Sequence, residues 1–276
     1  MRVIVTGAGG QVGRALTALL PGATALTHAQ LDLADAAGFG WGGYDAVINA
    51  AAWTDVDGAQ TSEGRRAAWR INATGPAALA AVARRHGLLV VHYSSEYVFD
   101  GHAEKPYTED DPVAPLSAYG ASKAAGDLAV ASVERHYVLR PTWVVGEGRN
   151  FVTTMLGLAA RGIAPTVVAD QVGRLTFAAD LAAATVALLD ERVPHGTYHV
   201  TGRGEPASWA DVARAVLALA GSPLAVADTT TAEYFAGRPH AAPRPLNSVL
   251  DLGRAEAAGL PLAPWREGLA AYVSAA

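Results

Sequence analysis

Tyr119 and Lys123 stand four residues apart in Tyr119-Gly120-Ala121-Ser122-Lys123, inside a helix-like stretch from Ser117 to Val133. Four residues on a helix place both side chains on one face. A phenol has a reference pKa of about 10. An ammonium beside it stabilises the phenolate and makes the phenol a better proton donor and acceptor. A second group is Ser94-Ser95, within Val91-His92-Tyr93-Ser94-Ser95-Glu96-Tyr97-Val98-Phe99-Asp100-Gly101 at the end of an apolar run. A hydroxyl there can hydrogen-bond a carbonyl oxygen or an alcohol. The third is the turn Gly7-Ala8-Gly9-Gly10-Gln11-Val12-Gly13. Gly7 permits a tight turn, Gly10 lets the backbone approach a pyrophosphate, and Gly13 lets a helix pack closely on a strand. Free amides at the helix start, at Gln11 and Val12, then hold phosphates. Each segment alone has a plainer reading: a solvated helix face, a turn serine, an ordinary strand–turn–helix corner.

The surrounding elements determine whether these groups meet. Arg2 to Thr6 reads as a short buried strand, and Arg14 to Leu20 as the first turns of a helix. Further strands are expected at Ala23–Leu26, Asp45–Ala50, Leu88–Tyr93 and Tyr137–Arg140. Between the third and fourth, Thr61 to His86 is helical and stops at Arg84-Arg85-His86 before Gly87. The alternation and the apolar strands predict an α/β, Rossmann-type doubly wound parallel sheet. Active sites of such sheets lie at the carboxyl ends of the strands. After Pro141 the rhythm changes. Helices are expected at Asn150–Ala160, Ala178–Leu189 and Ser208–Ala220, strands at Thr166–Val168 and Thr197–Thr201, and loop at Val226–Pro245. The expected division is a dinucleotide-binding domain of residues 1–146 plus about 177–195. A smaller C-terminal substrate-binding lobe, about 147–176 and 196–276, interleaves with it.

Composition narrows the function. The 276 residues are 51% hydrophobic and 17% charged, enough for a core and against disorder. Net charge is -5 with no basic run, which argues against nucleic acid as partner. There is no Cys, hence no disulfide and no thiolate metal site. The N-terminus lacks the basic and apolar regions of a signal peptide, and no run of 18 residues is apolar enough for a membrane span. A cytoplasmic protein is expected. His195 and His199 fall in a turn and strand rather than on one helix face, so they read as structural, and no metal is expected.

The constellation resembles the extended short-chain dehydrogenase/reductases. More closely it resembles the dTDP-4-dehydrorhamnose reductases and related 4-ketoreductases of nucleotide sugars. The match runs through most of the chain. It includes Asn49-Ala50-Ala51-Ala52-Trp53-Thr54-Asp55-Val56-Asp57, Tyr97-Val98-Phe99-Asp100-Gly101, Asp170-Gln171 with Gly173 and Thr176, and Arg244-Pro245 with Asn247-Ser248. The resemblance implies that Tyr119 donates a proton to a ketone and that Ser95 polarises it. Lys123 would lower the Tyr119 pKa and hold the nicotinamide ribose. Ala50 and Ala51 would let the backbone lie against the cofactor, and Asp32-Leu33 would border the adenine. Tyr97, Glu96, Trp143, Asn150 and Arg244 would face the sugar nucleotide. The implied reaction is reduction of the C4 ketone of a dTDP-4-keto-6-deoxyhexose, for rhamnose or natural-product deoxysugar biosynthesis. A homodimer also fits the wider family. The alternatives are an epimerase or dehydratase on the same fold, or a non-catalytic NADP-binding regulatory subunit. Dehydratases carry Thr-Asp-Glu where this chain has Ser95-Glu96-Tyr97, so their carboxylate base is missing.

Three departures bear on the sugar. Ser94-Ser95-Glu96 replaces Ser-Thr-Asp, Val145 replaces a common Tyr, and Asp170-Gln171-Val172-Gly173-Arg174-Leu175-Thr176 loses a Pro and gains Arg174. Arg174 is expected to meet a phosphate or the altered sugar. The second strand ends Ala25-Leu26-Thr27-His28 without the carboxylate of NAD-specific folds, while Arg14 could reach a 2′-phosphate. NADPH is expected, with NADH as the other candidate.

Overall fold

The computed structural model describes residues 1–190 and 192–276. In the first half, β1 (Val3–Thr6), α1 (Gln11–Leu19), β2 (Thr24–Leu26) and β3 (Ala46–Asn49) lead into α2 (Ser62–Trp69). Then come α3 (Gly75–His86), β4 (Leu89–Tyr93), α4 (Ala118–Ala131) and β5 (His136–Arg140). Beyond them β6 (Val144–Val145) pairs with β9 (Thr176–Phe177), β7 (Thr166–Val168) with β12 (Ala227–Thr229), and β8 (Val172–Gly173) with β11 (Ala207–Ser208). Helices α5 (Phe151–Ala160), α6 (Ala178–Leu188), α7 (Trp209–Leu219), α8 (Thr231–Phe235), α9 (Gly253–Ala257) and α10 (Trp265–Ser274) complete the chain with β10 (Gly196–His199).

The main sheet has six parallel strands in the order β10-β5-β4-β3-β1-β2. Its apolar runs are continuous because both faces are covered. Val5, Ile48, Val91 and Leu139 pack toward α1 and α6, and Ile4, Val47, Val90 and Val138 toward α3. The strand order reverses between β1 and β3, and there the carboxyl ends open a crevice. A separate cluster joins Val145, Leu175, Phe177 and Trp265 with α5 and α7, forming the core of the lobe.

The structure departs from the sequence reading in four places. α1 begins at Gln11, so Gln11 to Gly13 are its first turn. The expected helix from Thr61 to His86 is interrupted by a π turn at Arg70–Thr74. The Asn72 side chain is the reason: it binds the backbone of Trp53 in both directions (2.8 and 3.1 Å) and Ser122 Oγ (3.0 Å). The loop expected at Val226–Pro245 contains β12 and α8. Finally, β10 pairs with β5, so residues 196–199 belong to the main sheet rather than to the lobe. No helix among the described residues is long and apolar enough to cross a membrane.

Candidate active site

The glycine turn leaves β1 at Gly7, whose φ of +68° suits glycine. A Cβ on Gly13 would lie 2.1 Å from the Gly7 carbonyl oxygen and 2.7 Å from Ala8 Cα. The helix can therefore pack on the turn only with a hydrogen at that position. Gly10 caps α1 without a side chain, leaving the first amides of the helix for an anion. The Gln11 amide oxygen accepts from Gly146 N at 2.7 Å and ties the turn to the lobe crossing. Gly13→Ala is expected to weaken dinucleotide binding by about fivefold or more, because backbone must move; overpacking of this kind costs about 1–3 kcal/mol. Fluorescence titration with NADPH measures the loss.

Two cavities meet at this turn. One, about 290 Å³, is lined by Gly7, Gly9, Gly10, Thr27, His28, Asp32, Leu33, Ala50 and Ala51, among others. The second, about 440 Å³, shares Gly10, Ala50 and Ala52 with it and reaches Gln11, Val12, Arg14, Tyr93, Ser94, Tyr119, Lys123 and Arg149. Continuous cavities on either side of a glycine turn fit the two halves of a dinucleotide. Asp32 borders the first while capping Ala34 N at 3.0 Å and pairing with Arg70 at 2.9 Å. No carboxylate ends β2, as expected. Arg14, expected at a 2′-phosphate, lines the second cavity, paired with Glu147 at 3.2 Å. Thr27 and His28, just past β2, line the first cavity.

Ser117 caps α4 through the Gly120 amide, and α4 then presents Tyr119 and Lys123 to the second cavity. Both are buried, Lys123 almost wholly. The Lys123 ammonium donates to the Tyr93 carbonyl, and burial pulls its pKa down to about 8 against the pull of Asp127. Burial pushes the Tyr119 phenol up, with the Glu96 charge adding to the rise and Ser95 opposing it. Burial dominates at the Tyr119 phenol, and the Lys123 ammonium bonds Tyr93. Ser95 Oγ donates to Glu96 Oε2 at 2.6 Å and accepts from Tyr97 N at 3.2 Å. Burial raises the Glu96 carboxyl to about 7. Tyr97 packs edge-on against Tyr119, ring centroids 5.4 Å apart.

The remaining expected substrate contacts are divided. Arg244 makes a two-pronged ion pair with Asp57 (2.8 and 2.9 Å) and its charge reaches the Tyr97 phenol. Trp143, just past β5, has a φ of +40°, rare for a bulky side chain and typical of functional sites. Its ring stacks on Trp209 at 3.8 Å, a partner the sequence did not reveal. Asn150 has a local role: its side chain caps α5 through Thr153 N and binds Gly146 O and Tyr272 Oη. Arg174 donates to Leu250 O at 3.1 Å and, like Tyr97, Trp143 and Arg244, is not among the residues lining the two cavities.

The sequence reading also missed a buried polar chain behind Lys123. Thr6 donates to Asn49 Oδ1 (2.8 Å), and Asn49 donates to His92 Nδ1 (3.0 Å). The remaining hydrogen of His92 is therefore on Nε2, 3.9 Å from Asp127 Oδ1. Ser94 Oγ (2.8 Å) and Arg140 Nε (3.2 Å) donate to Asp127 Oδ2. Asp127 lies one turn beyond Lys123, a spacing visible in the sequence. His199 is structural as expected: Nδ1–H donates to Asp251 O at 3.2 Å, and burial lowers its pKa to about 3.

This arrangement can place a proton donor, a hydroxyl and an ammonium beside a dinucleotide. A family model described as the RmlD substrate binding domain matches residues 1–276. A Streptomyces antibioticus protein named as a probable dTDP-4,6-dihydroxy-2-methyloxan-3-one 4-ketoreductase is 43% identical, over 98% of this chain and 93% of its own. The crystal structure of a dTDP-4-dehydrorhamnose reductase from Clostridium acetobutylicum is 37% identical with a TM-score of 0.92, covering 100% and 99% of the two chains. That of a dTDP-4-dehydrorhamnose reductase from Bacillus anthracis, in complex with NADP, is 31% identical with a TM-score of 0.90 at the same coverage. The chain belongs to the RmlD family, that of the dTDP-4-dehydrorhamnose reductases.

Proposed function

We propose that this chain reduces the C4 ketone of a dTDP-4-keto-6-deoxyhexose at the expense of NADPH. The observation that carries the reading is the placement of Tyr119 and Lys123 on the second cavity, with Ser95 beside the phenol. The amides of Gln11 and Val12, the turn at Gly7 and Gly10, and the backbone at Ala50 and Ala51 would hold the cofactor. When bound, the nicotinamide supplies the hydride.

The chain's own residues handle the oxygen. Tyr119 gives its proton to the ketone oxygen as negative charge develops there. Ser95 polarises the same oxygen by a hydrogen bond. Lys123 holds the ribose hydroxyls and, as a cation behind the phenol, stabilises the phenolate left after proton transfer. Tyr97, Trp143 and Arg244 would face the sugar nucleotide. The reading carries with it a cytoplasmic enzyme, and a homodimer as in the wider dehydrogenase family. Relatives at similar identity include both a dTDP-4-dehydrorhamnose reductase from Mycobacterium tuberculosis and the deoxysugar ketoreductase named above. With a dTDP-4-keto-6-deoxyhexose, NADPH is expected to be consumed faster than NADH, followed by loss of reduced-nicotinamide absorbance. Equal or faster turnover with NADH would refute the cofactor choice.

A further inference from the structure

Ser95 has one hydrogen to give. In the structure that hydrogen goes to the Glu96 carboxyl at 2.6 Å, and the Tyr97 amide occupies one lone pair of the same oxygen. With Glu96 ionised, Ser95 has nothing to donate to a ketone. An ionised Glu96 also faces the Tyr119 phenol and makes it hold its proton more tightly. Both effects oppose reduction. Both reverse when the carboxyl carries a proton. The acid then donates to Ser95 Oγ, and the Ser95 hydrogen is free to turn to the ketone oxygen.

We propose that Glu96 is a proton switch for Ser95: as an acid it donates to Ser95 and releases the serine hydrogen to the substrate, and as a carboxylate it takes that hydrogen back. Glu96 is thus a positioning residue, acting through Ser95. The proposal rests on the reductase reading of the same site. No bond to carbon is made or broken in the switch, and the proton lost at high pH goes to solvent.

The surroundings suit this role. Glu96 is 4% exposed, at the end of β4. The ionisable groups facing it are the Tyr97 phenol on its own turn and the Tyr119 phenol on α4. Among the described residues no cation acts on it. Arg244 is paired with Asp57, and the Lys123 ammonium is bonded to the Tyr93 carbonyl. Burial without a cation keeps the carboxyl protonated up to about pH 7, and the Ser95 bond only partly offsets this. The group therefore changes form near neutrality.

The test is the single-turnover rate of ketone reduction against pH in wild type, Glu96→Gln and Ser95→Ala. The Gln amide donates at every pH, as the protonated acid does. Between pH 6 and pH 8 the wild type is expected to lose about twentyfold, roughly tenfold from one group ionising near 7 and about twofold from Lys123, whereas Glu96→Gln loses only the twofold from Lys123. Ser95→Ala is slower throughout and keeps only the weaker dependence that the Glu96 charge exerts on the Tyr119 phenol, because the switch itself acts through the missing hydroxyl. The full wild-type loss in Glu96→Gln, or in Ser95→Ala, overturns the proposal.

A substrate-free measurement separates this from failure of the reductase reading. An acid whose pKa is raised on folding, from 4.5 to about 7, stabilises less as pH rises through that window and no further above it. The stability of wild type relative to Glu96→Gln is therefore expected to fall from pH 4.5 to pH 7. Absence of turnover with any 4-keto sugar contradicts the reductase reading alone. A stability difference that does not change with pH overturns the switch.

Discussion

Tyr119→Phe is expected to lower kcat by about 10²–10⁴-fold, the usual contribution of a positioned general acid. The phenolic hydroxyl is the only group removed. The ring still packs edge-on against Tyr97, and α4 still begins at the Ser117 cap. NADPH binding should change only a few-fold, since the glycine turn and Lys123 are untouched. The prediction is a split: a large fall in kcat with near-constant NADPH affinity and an unchanged melting temperature. A fall in stability of the same variant would mean that the phenol is structural. Full activity would move the proton donor elsewhere, and Glu96 is the nearest acid. Comparison of the Tyr119→Phe and Ser95→Ala rates, with the double variant, measures how far the two act on one oxygen.

Asp127→Ala is expected to destabilise the protein by about 3–5 kcal/mol, the range for breaking a buried ion pair on one side. Arg140 is 6% exposed and would keep only a long contact to Glu109 O (3.5 Å) and the face of Phe99. Ser94 would lose its acceptor, and His92 Nε2–H the carboxylate it faces. Urea unfolding followed by circular dichroism reads the change. A second effect follows from position. Asp127 is the group that opposes the burial of Lys123, so its removal lowers the Lys123 pKa below about 8. The alkaline limb assigned to Lys123 should move to lower pH in Asp127→Asn, which keeps the shape and removes the charge. An unmoved limb would show that Asp127 serves the fold alone.

The sheet was legible from the sequence because each strand is an apolar run bounded by a turn signal or a helix. Val3-Ile4-Val5, Ala46-Val47-Ile48 and Leu89-Val90-Val91 need cover on two faces, and few folds provide it. Tyr119, Lys123 and the glycines were legible because their roles depend on local spacing along one helix or one turn. Features that depend on distant partners were not. The Asn72 π turn needs Trp53 and Ser122, from two other elements. The Trp143–Trp209 stack joins residues 66 positions apart. Asn150 was assigned to substrate, but its local role as a helix cap, with Thr153 three residues on, is also written in the sequence. Arg14 was read as a 2′-phosphate ligand and Arg174 as meeting a phosphate or the altered sugar, from charge and position in their motifs. Charge does not say where a long side chain ends, and Glu147 and the Leu250 carbonyl decide it. The buried chain from Thr6 to Asp127 escaped because its members lie on five different elements.

The central claim is that hydride passes to C4 of a dTDP-linked ketosugar at the cavity of Tyr119 and Lys123. It is tested most directly with NADPH carrying deuterium on the transferred face of its C4 and a dTDP-4-keto-6-deoxyhexose, followed by NMR of the product. The account predicts one deuterium at sugar C4, with Tyr119→Phe slowing its arrival without changing its position. NADPH that binds but is not consumed, or a product with no deuterium at C4, would contradict it.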